Sequence, residues 1–424
     1  MEKHHFAVLC PEASGHVLPM SALTVELAGR GHQITYITTA DGVERCQSTG
    51  VESRLVGEEQ FPLGVNRRMF DTLGRLTGLA AAKYVLRIYE RGMGVMLDEA
   101  PQQVRDCGAD VLLADETWWV ARTLSQQLDL PYLSVCNALP FHPDELHPPM
   151  FSAAPFRTGY LSRVKNRMSY RLIDVTMGRM RRMIMRSRRE QGLPKYRFRE
   201  ENASRLATFA QIPEAFDFPR DSPDPWFHYV GGLHSSSVRK PVEFPWDKLD
   251  GRPLIYASLG TLQNRLLDVF RAIASAAADL PVQLVISLGG GAEPEELGEL
   301  DGDPIVVRFA PQLKLIEAAD LVVTHAGMNT TVEALAKGRP MLALPVTNDQ
   351  PGVAARIVHS GCGLMIPIAR ADAPRIRQAL QTMLGDPGFR EQAEKMAEAN
   401  REAGGAARAA DLIEGLELSG AAGC

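Results

Sequence analysis

The sequence predicts an α/β protein made of two doubly wound parallel-sheet domains. Three observations carry the prediction. Short, continuously apolar runs alternate with helix-like runs, as expected of strands buried on both faces. The alternation occurs in two series, separated by a Pro- and Ser-rich stretch at 219–245. The 424 residues, 45% of them hydrophobic, are enough for two or three domains with sizeable cores.

The first series opens with the strand Phe6-Ala7-Val8-Leu9 and a helical pattern over 18–29. Gln33-Ile34-Thr35-Tyr36-Ile37, Val111-Leu112-Leu113-Ala114 and Tyr132-Leu133-Ser134-Val135 follow as strands. The second series has Leu254-Ile255-Tyr256-Ala257, Val282-Gln283-Leu284-Val285-Ile286, Ile305-Val306-Val307-Arg308-Phe309, Leu321-Val322-Val323 and Met341-Leu342-Ala343-Leu344. The expected division is a first domain at 1–220, a linker at 221–250 and a second domain at 251–388. A helix near 389–416 completes the chain, and the tail from Ser419 is expected to fray.

Net charge −5 and pI ≈ 6.1 argue against a general nucleic-acid binder. The six cysteines, Cys10, Cys46, Cys107, Cys136, Cys362 and Cys424, lack metal-type spacing. They read as reduced thiols of a cytoplasmic protein. The amino terminus runs straight into a strand and does not read as a signal peptide. No apolar run approaches the roughly 18 residues of a membrane span. His142-Pro143-Asp144-Glu145-Leu146-His147 is metal-like in composition, but its proline points to a loop, so no metal site is expected.

The chemistry concentrates at 309–350. Phe309-Ala310-Pro311-Gln312 precedes the strand-like run ending at Thr324. His325-Ala326-Gly327-Met328-Asn329-Thr330-Thr331-Val332-Glu333 then turns into a helix, and Asp349-Gln350 follow further on. A helix start presents unpaired N–H groups and a positive dipole end, which suit a phosphate. His325 adds a donor at the same place, and Glu333, about a turn later, can accept from a sugar hydroxyl. Ser258-Leu259-Gly260-Thr261 also stands between a strand and a helix and can hold a phosphate, although Ser or Thr there is equally an ordinary helix cap. The dinucleotide fingerprint is absent: Pro11-Glu12-Ala13-Ser14-Gly15-His16 follows the first strand, and Gly289-Gly290-Gly291 has the wrong spacing and reads as a flexible loop.

This pattern resembles the donor-binding signature of family-1 glycosyltransferases, which move a sugar from a UDP-sugar to a small acceptor. Tyr256-Ala257-Ser258-Leu259-Gly260-Thr261-Leu262-Gln263 and the run 349–358 look more narrowly like bacterial carotenoid (zeaxanthin) glucosyltransferases. The resemblance implies the GT-B arrangement, two Rossmann-like domains face to face, with the C-terminal helix packed back on the first. It implies that Phe309, at a position usually held by Trp, stacks on uracil and that Gln312 contacts the base. His325, Gly327, Asn329 and Thr330 would lie against the diphosphate and Glu333 against the ribose, beside the phosphate-holding turn already read at Ser258, Gly260 and Thr261. Asp349 and Gln350 would take hydroxyls of the transferred sugar. Neither cofactor nor metal is implied, since GT-B enzymes stabilise the leaving diphosphate with helix dipoles and side chains.

Inverting transfer needs a base for the acceptor hydroxyl. His16 suits it by its pKa, and a helix start favours the neutral ring. It also occupies the family's base position. Asp115, at a strand end, is the expected orienting carboxylate, with Glu116 as the fallback and a helix cap near Thr117 as the rival role.

Candidates for a lipophilic acceptor site are Phe61, Met69, Phe70, Tyr84, Trp118, Trp119, Phe141, Met150 and Phe151. The segment 157–205 is strongly basic, from Arg163 and Lys165 to Arg197 and Arg199, and Val164, Met168, Leu172, Val175 and Met183 recur in it at helical spacing. Two readings fit: peripheral contact with an anionic membrane, or a solvated helix packed through its apolar stripe. The sequence thus reads as an inverting transferase moving glucose or a close hexose from a UDP-sugar to a lipophilic small molecule. A carotenoid or terpenoid alcohol comes first, a polyphenol or macrolide next. The rivals are a nucleotide-sugar epimerase of the same architecture and a non-catalytic sugar-nucleotide-binding protein.

Overall fold

The computed structural model describes residues 2–76, 78–141, 144–197, 201–220, 224–239, 241–262 and 265–418. His142, Arg199, Gln263, Cys424 and the tail from 419, named above, lie outside them.

The strands in chain order are β1 (His5–Leu9), β2 (Gln33–Thr38), β3 (Glu52–Leu55), β4 (Val111–Asp115), β5 (Tyr132–Cys136), β6 (Thr208–Ala210), β7 (Phe227–Tyr229), β8 (Leu254–Ser258), β9 (Gln283–Ser287), β10 (Ile305–Val307), β11 (Leu321–Thr324), β12 (Met341–Ala343) and β13 (Gly363–Met365). The α-helices are α1 (Ser14–Gly29), α2 (Ala40–Thr49), α3 (Val65–Leu73), α4 (Gly78–Cys107), α5 (Ala121–Leu128), α6 (Tyr160–Thr176), α7 (Gly178–Glu190), α8 (Leu267–Ala277), α9 (Gln312–Ala318), α10 (Met328–Ala336), α11 (Gln350–His359), α12 (Ala373–Gly385), α13 (Gly388–Ala403) and α14 (Gly405–Glu414).

They form two parallel sheets, ordered β3-β2-β1-β4-β5-β6-β7 and β10-β9-β8-β11-β12-β13. The central strands β4, β5, β8, β9 and β11 are buried along their whole length, because helices cover both faces. This is the GT-B fold: two Rossmann-like doubly wound domains. The core is continuous across them, with Leu139, Ile212 and Phe216 of the first half packing among Met328, Val332, Val353 and Ala354 of the second.

Three sequence expectations need correction. The stretch 221–250 is not all linker, because β7 within it forms the edge of the first sheet. The helix over 389–416 is two helices broken at Gly404, whose φ of 84° ends α13. Of these, α14 closes on the first domain, where Ala409, Ala410 and Ile413 join Phe6 and Val8 in the core. Arg30 of α1 pairs there with Asp411 at 2.6 Å and Glu414 at 2.8 Å. Finally, α1 begins at Ser14, not at Leu18, so Pro19 sits inside the helix and His16 in its first turn. Pro19 has no N–H for the Gly15 carbonyl, a cost a helix tolerates near its start.

Candidate active site

In an open parallel sheet, ligands bind outside the carboxyl ends of the strands where strand order reverses. The first sheet reverses between β1 and β4, the second between β8 and β11. His16 follows β1 and Asp115 ends β4. Ser258 ends β8, and His325 follows β11. These two crevices open into a single cavity of ≈ 980 Å³. His16, Ser258, Gly260, Thr261, Phe309, Gln312, His325, Gly327, Asn329, Thr330, Asp349 and Gln350 line it. Asp115 and Glu333 stand one layer behind, each holding a side chain that does.

His16 Nδ1 lies 2.8 Å from Asp115 Oδ2. A carboxylate only accepts, so Nδ1 carries the proton and Nε2 keeps its lone pair. Asp115 is fully buried and tightly held. Its Oδ1 accepts from the Thr117 amide at 2.8 Å, and its Oδ2 also accepts from Asn137 Nδ2 at 2.7 Å. Asp115 therefore orients His16, whereas the helix cap considered for it is not formed: α5 begins only at Ala121, and the Asp115 bonds to Thr117 order a turn ahead of it. Burial alone would lower the His16 pKa, but the charge and hydrogen bond of Asp115, with Asp349 nearby, outweigh it and hold the ring above its ordinary value. The shift runs opposite to the one expected from the helix start. For Asp115, burial pushes upward, and His16, Thr117 and Asn137 together bring the carboxyl below its usual range. Glu116 points elsewhere. Both its oxygens accept from the Phe141 amide at 3.1 Å, and burial pushes its pKa up to about 7.

On the facing side, the His325 ring is cradled by two glycines. A Cβ at Gly260 or at Gly327 would stand 2.5 Å from the ring. Gly260 also has a φ of +77°, which a side chain would strain. Burial drives the His325 pKa down to about 4, so the ring is neutral at physiological pH. Gln312 Nε2 donates to Glu333 Oε2 at 2.7 Å, Tyr256 OH donates to Gln312 Oε1 at 3.3 Å, and Arg239 pairs with Glu333 Oε1. Glu333 is buried, which raises its pKa against the pull of Arg239 and Gln312. Phe309 is 47% exposed and lies across Gly290, where a Cβ would stand 2.3 Å from the ring. Gly290 is thus a bed for Phe309, a role the sequence reading of the run as a loose loop did not assign.

The donor-side residues also grip the first domain. Thr261 Oγ1 lies 2.8 Å from Ser14 Oγ, and Asn329 bonds the Ser14 carbonyl at 3.5 Å. Asp349 Oδ2 accepts from the Leu139 amide at 3.3 Å. Gln350 Oε1 accepts from the Val346 and Thr347 amides at 2.8 and 2.9 Å, which leaves its NH2 for the cavity.

Much of the rest of the wall is apolar. Phe61, Met69, Phe70, Trp118, Trp119, Phe141, Met150 and Phe151 line it as anticipated, while Tyr84 does not. Tyr89, Met93, Met96, Ile173, Met177 and Met180 also line it but were not singled out from the sequence, because an apolar residue facing a cavity reads like one facing a core. Asn137 and Arg239 were missed as well. Asn137 directly follows β5, so the rule of strand carboxyl ends would have found it. Arg239 carries no such signal. Among the described residues no three metal-ligating side chains converge. His147 is instead packed against Phe156 and Phe218, with Nε2 3.0 Å from the Pro219 carbonyl.

Residues 94–402 match the family model described as UDP-glucoronosyl and UDP-glucosyl transferase. The chain belongs to the family-1 UDP-glycosyltransferases. This glycosyltransferase is 32% identical to the zeaxanthin glucosyltransferase of Pseudescherichia vulneris, over 97% of each chain. It is 30% identical to that of Pantoea ananas, over 98% of this chain and 96% of the other. Among solved structures, the kitacinnamycin glycotransferase superposes with a TM-score of 0.74 at 24% identity, covering 97% and 98% of the two chains. The family match contains Asp115 and every donor-side residue named above, and His16 lies ahead of it.

The glycine cradle of this glycosyltransferase gives a direct test of the donor side. Gly327→Ala adds one methyl group against His325 at an ordinary backbone angle. It is expected to weaken UDP binding about tenfold, ~1.4 kcal/mol, by displacing the ring. Calorimetry showing unchanged UDP affinity would remove His325 from the donor site.

Proposed function

We propose that this enzyme transfers glucose, or a close hexose, with inversion from its UDP derivative to a hydroxyl of a lipophilic small molecule. The observation that carries the reading is the single cavity that joins the His16–Asp115 pair to the His325–Gly327 helix start across a largely apolar wall. The carotenoid substrates in the names of the two relatives support a carotenoid or terpenoid alcohol as acceptor, ahead of a polyphenol or macrolide.

In this reading the acceptor hydroxyl gives its proton to His16 Nε2 as its oxygen attacks the anomeric carbon. The bond from that carbon to the diphosphate oxygen breaks, and UDP departs from the opposite face. Asp115 stabilises the imidazolium formed. The amides at the start of α10, with Thr261, Thr330, Asn329 and neutral His325, receive the diphosphate charge, so neither metal nor cofactor is required. Phe309 stacks on the base beside Gln312. The ribose displaces Arg239 from Glu333. Asp349 and the Gln350 NH2 read the sugar hydroxyls, with the anomeric carbon held between base and leaving group. The enzyme acts in the cytoplasm, where UDP-sugars are available to it.

The test is product analysis with UDP-glucose and a panel of lipophilic alcohols. Mass spectrometry is expected to find an acceptor gaining one hexose, with stoichiometric UDP. A new UDP-hexose formed without acceptor would favour the epimerase, and binding without any product the non-catalytic protein.

A further inference from the structure

We propose that α6 docks this enzyme on anionic lipid bilayers, so that the acceptor passes from the membrane into the cavity. The inference rests on the lipophilic acceptor proposed above. The five large apolar side chains most open to solvent among the described residues all belong to α6: Leu161 at 82%, Tyr160 at 79%, Val175 at 75%, and Met168 and Leu172 at 65%. The next, Leu63, is 59% exposed. Leu161, Met168, Leu172 and Val175 stand at i, i+7, i+11 and i+14, which is one face of the helix. Those four side chains are not packed, although Val164 and Met183 of the expected stripe are half-buried and Met183 meets the core of the first domain.

The opposite face of α6 is anchored. Buried Asn166 donates to the Glu145 and Leu146 carbonyls at 3.0 and 3.1 Å. From this inner side Ile173 and, just past the helix end, Met177 line the acceptor half of the cavity. One short element thus has a wall of the cavity on its inside and an unpartnered apolar stripe on its outside. Exposed contiguous apolar surface of this kind marks an interaction site.

Charge selects the occupant. Residues 160–190 hold ten Lys and Arg against two Asp and Glu, in a chain of net charge −5. Lys165 and Arg171 are exposed beside the stripe, and Arg181 and Arg182 are exposed on the adjoining α7. Arg188 is the exception: it is buried, with Nε donating to the Pro194 carbonyl at 2.9 Å, and belongs to the fold. A second copy paired through the same face would set like charges together. An anionic bilayer accepts both features, apolar side chains among the acyl chains and basic ones at the headgroups. No helix among the described residues is long and apolar enough to cross a membrane, so the contact is peripheral.

The test is sedimentation with phosphatidylglycerol–phosphatidylcholine vesicles and with phosphatidylcholine alone. The wild type is expected to bind the anionic vesicles at low salt and to be released as salt rises. Leu161→Ser with Leu172→Ser, and separately Lys165→Gln with Arg171→Gln and Arg182→Gln, should each weaken binding about tenfold or more. Both variants should turn over an acceptor dissolved in the vesicles more slowly and a water-soluble acceptor at the wild-type rate, which also shows that they fold. Absence of wild-type vesicle binding at low salt, or equal binding by both variants, would overturn the proposal. So would a dimer in solution that the Leu161/Leu172 variant converts to monomer, because a second copy would then cover the stripe. Vesicle binding as expected but no sugar transfer to any acceptor would support docking and defeat the proposed function.

Discussion

His16→Ala is expected to slow sugar transfer by about 10²–10⁴-fold, the range typical for loss of a general base. Affinity for UDP should change little, because the groups proposed to hold the diphosphate come from the facing sheet. The geometry makes this separation sharp. His16 presents Nε2 to the cavity because Nδ1 is committed to Asp115 at 2.8 Å, while Gln312 pairs with Glu333 and His325 sits in its glycine cradle on the other wall. Steady-state rates with saturating UDP-sugar, beside calorimetry with UDP, read the two effects independently. Turnover near the wild-type value would show that the proton leaves by another route.

Asp115→Asn should be nearly as damaging, with a loss of up to about 10⁴-fold as in other carboxylate–histidine pairs. The carboxylate accepts from His16, Thr117 and Asn137 together. An amide at that place brings an NH2 against two donors. The Oδ is retained by Thr117, and His16 is driven towards the tautomer with its proton on Nε2, which leaves only the minor tautomer to act as base. The pH dependence supplies a second readout. Burial lowers the His16 pKa, while Asp115 raises it beyond the ordinary imidazole value. The neutral base is present only above that pKa, so kcat/KM in the wild type should fall as pH drops through a value above about 6.5. In Asp115→Asn the main raising influence is gone and burial remains, so the acid limb of the residual activity should move to lower pH. A limb that stays in place would assign it to a different group.

Much of this was legible from the sequence, and the limits have physical causes. β1, β4, β8 and β11 are central strands, buried on both faces, and so appear as unbroken apolar runs. β3 is Glu-Ser-Arg-Leu at a sheet edge, and β6, β7 and β13, Thr-Phe-Ala, Phe-His-Tyr and Gly-Leu-Met, lack the apolar run that marks the equally short β10 and β12. The helical pattern was read from Leu18, yet α1 begins four residues earlier, which brings His16 into the first turn facing β4. The donor motif was readable because His325, Gly327 and Glu333 lie within one strand–turn–helix. The ion pair of Glu333 with Arg239 spans 94 residues and leaves no trace in local pattern. The stripe on α6 was visible as a period, but only the fold shows which way it faces.

The most direct measurement is the anomeric configuration of the product formed from UDP-α-glucose, read from the proton coupling of the transferred sugar by NMR. Attack by an acceptor oxygen activated by His16, opposite the departing UDP, gives a β-glucoside. A product that retains the α configuration would contradict a single displacement in this cavity and the role given to His16.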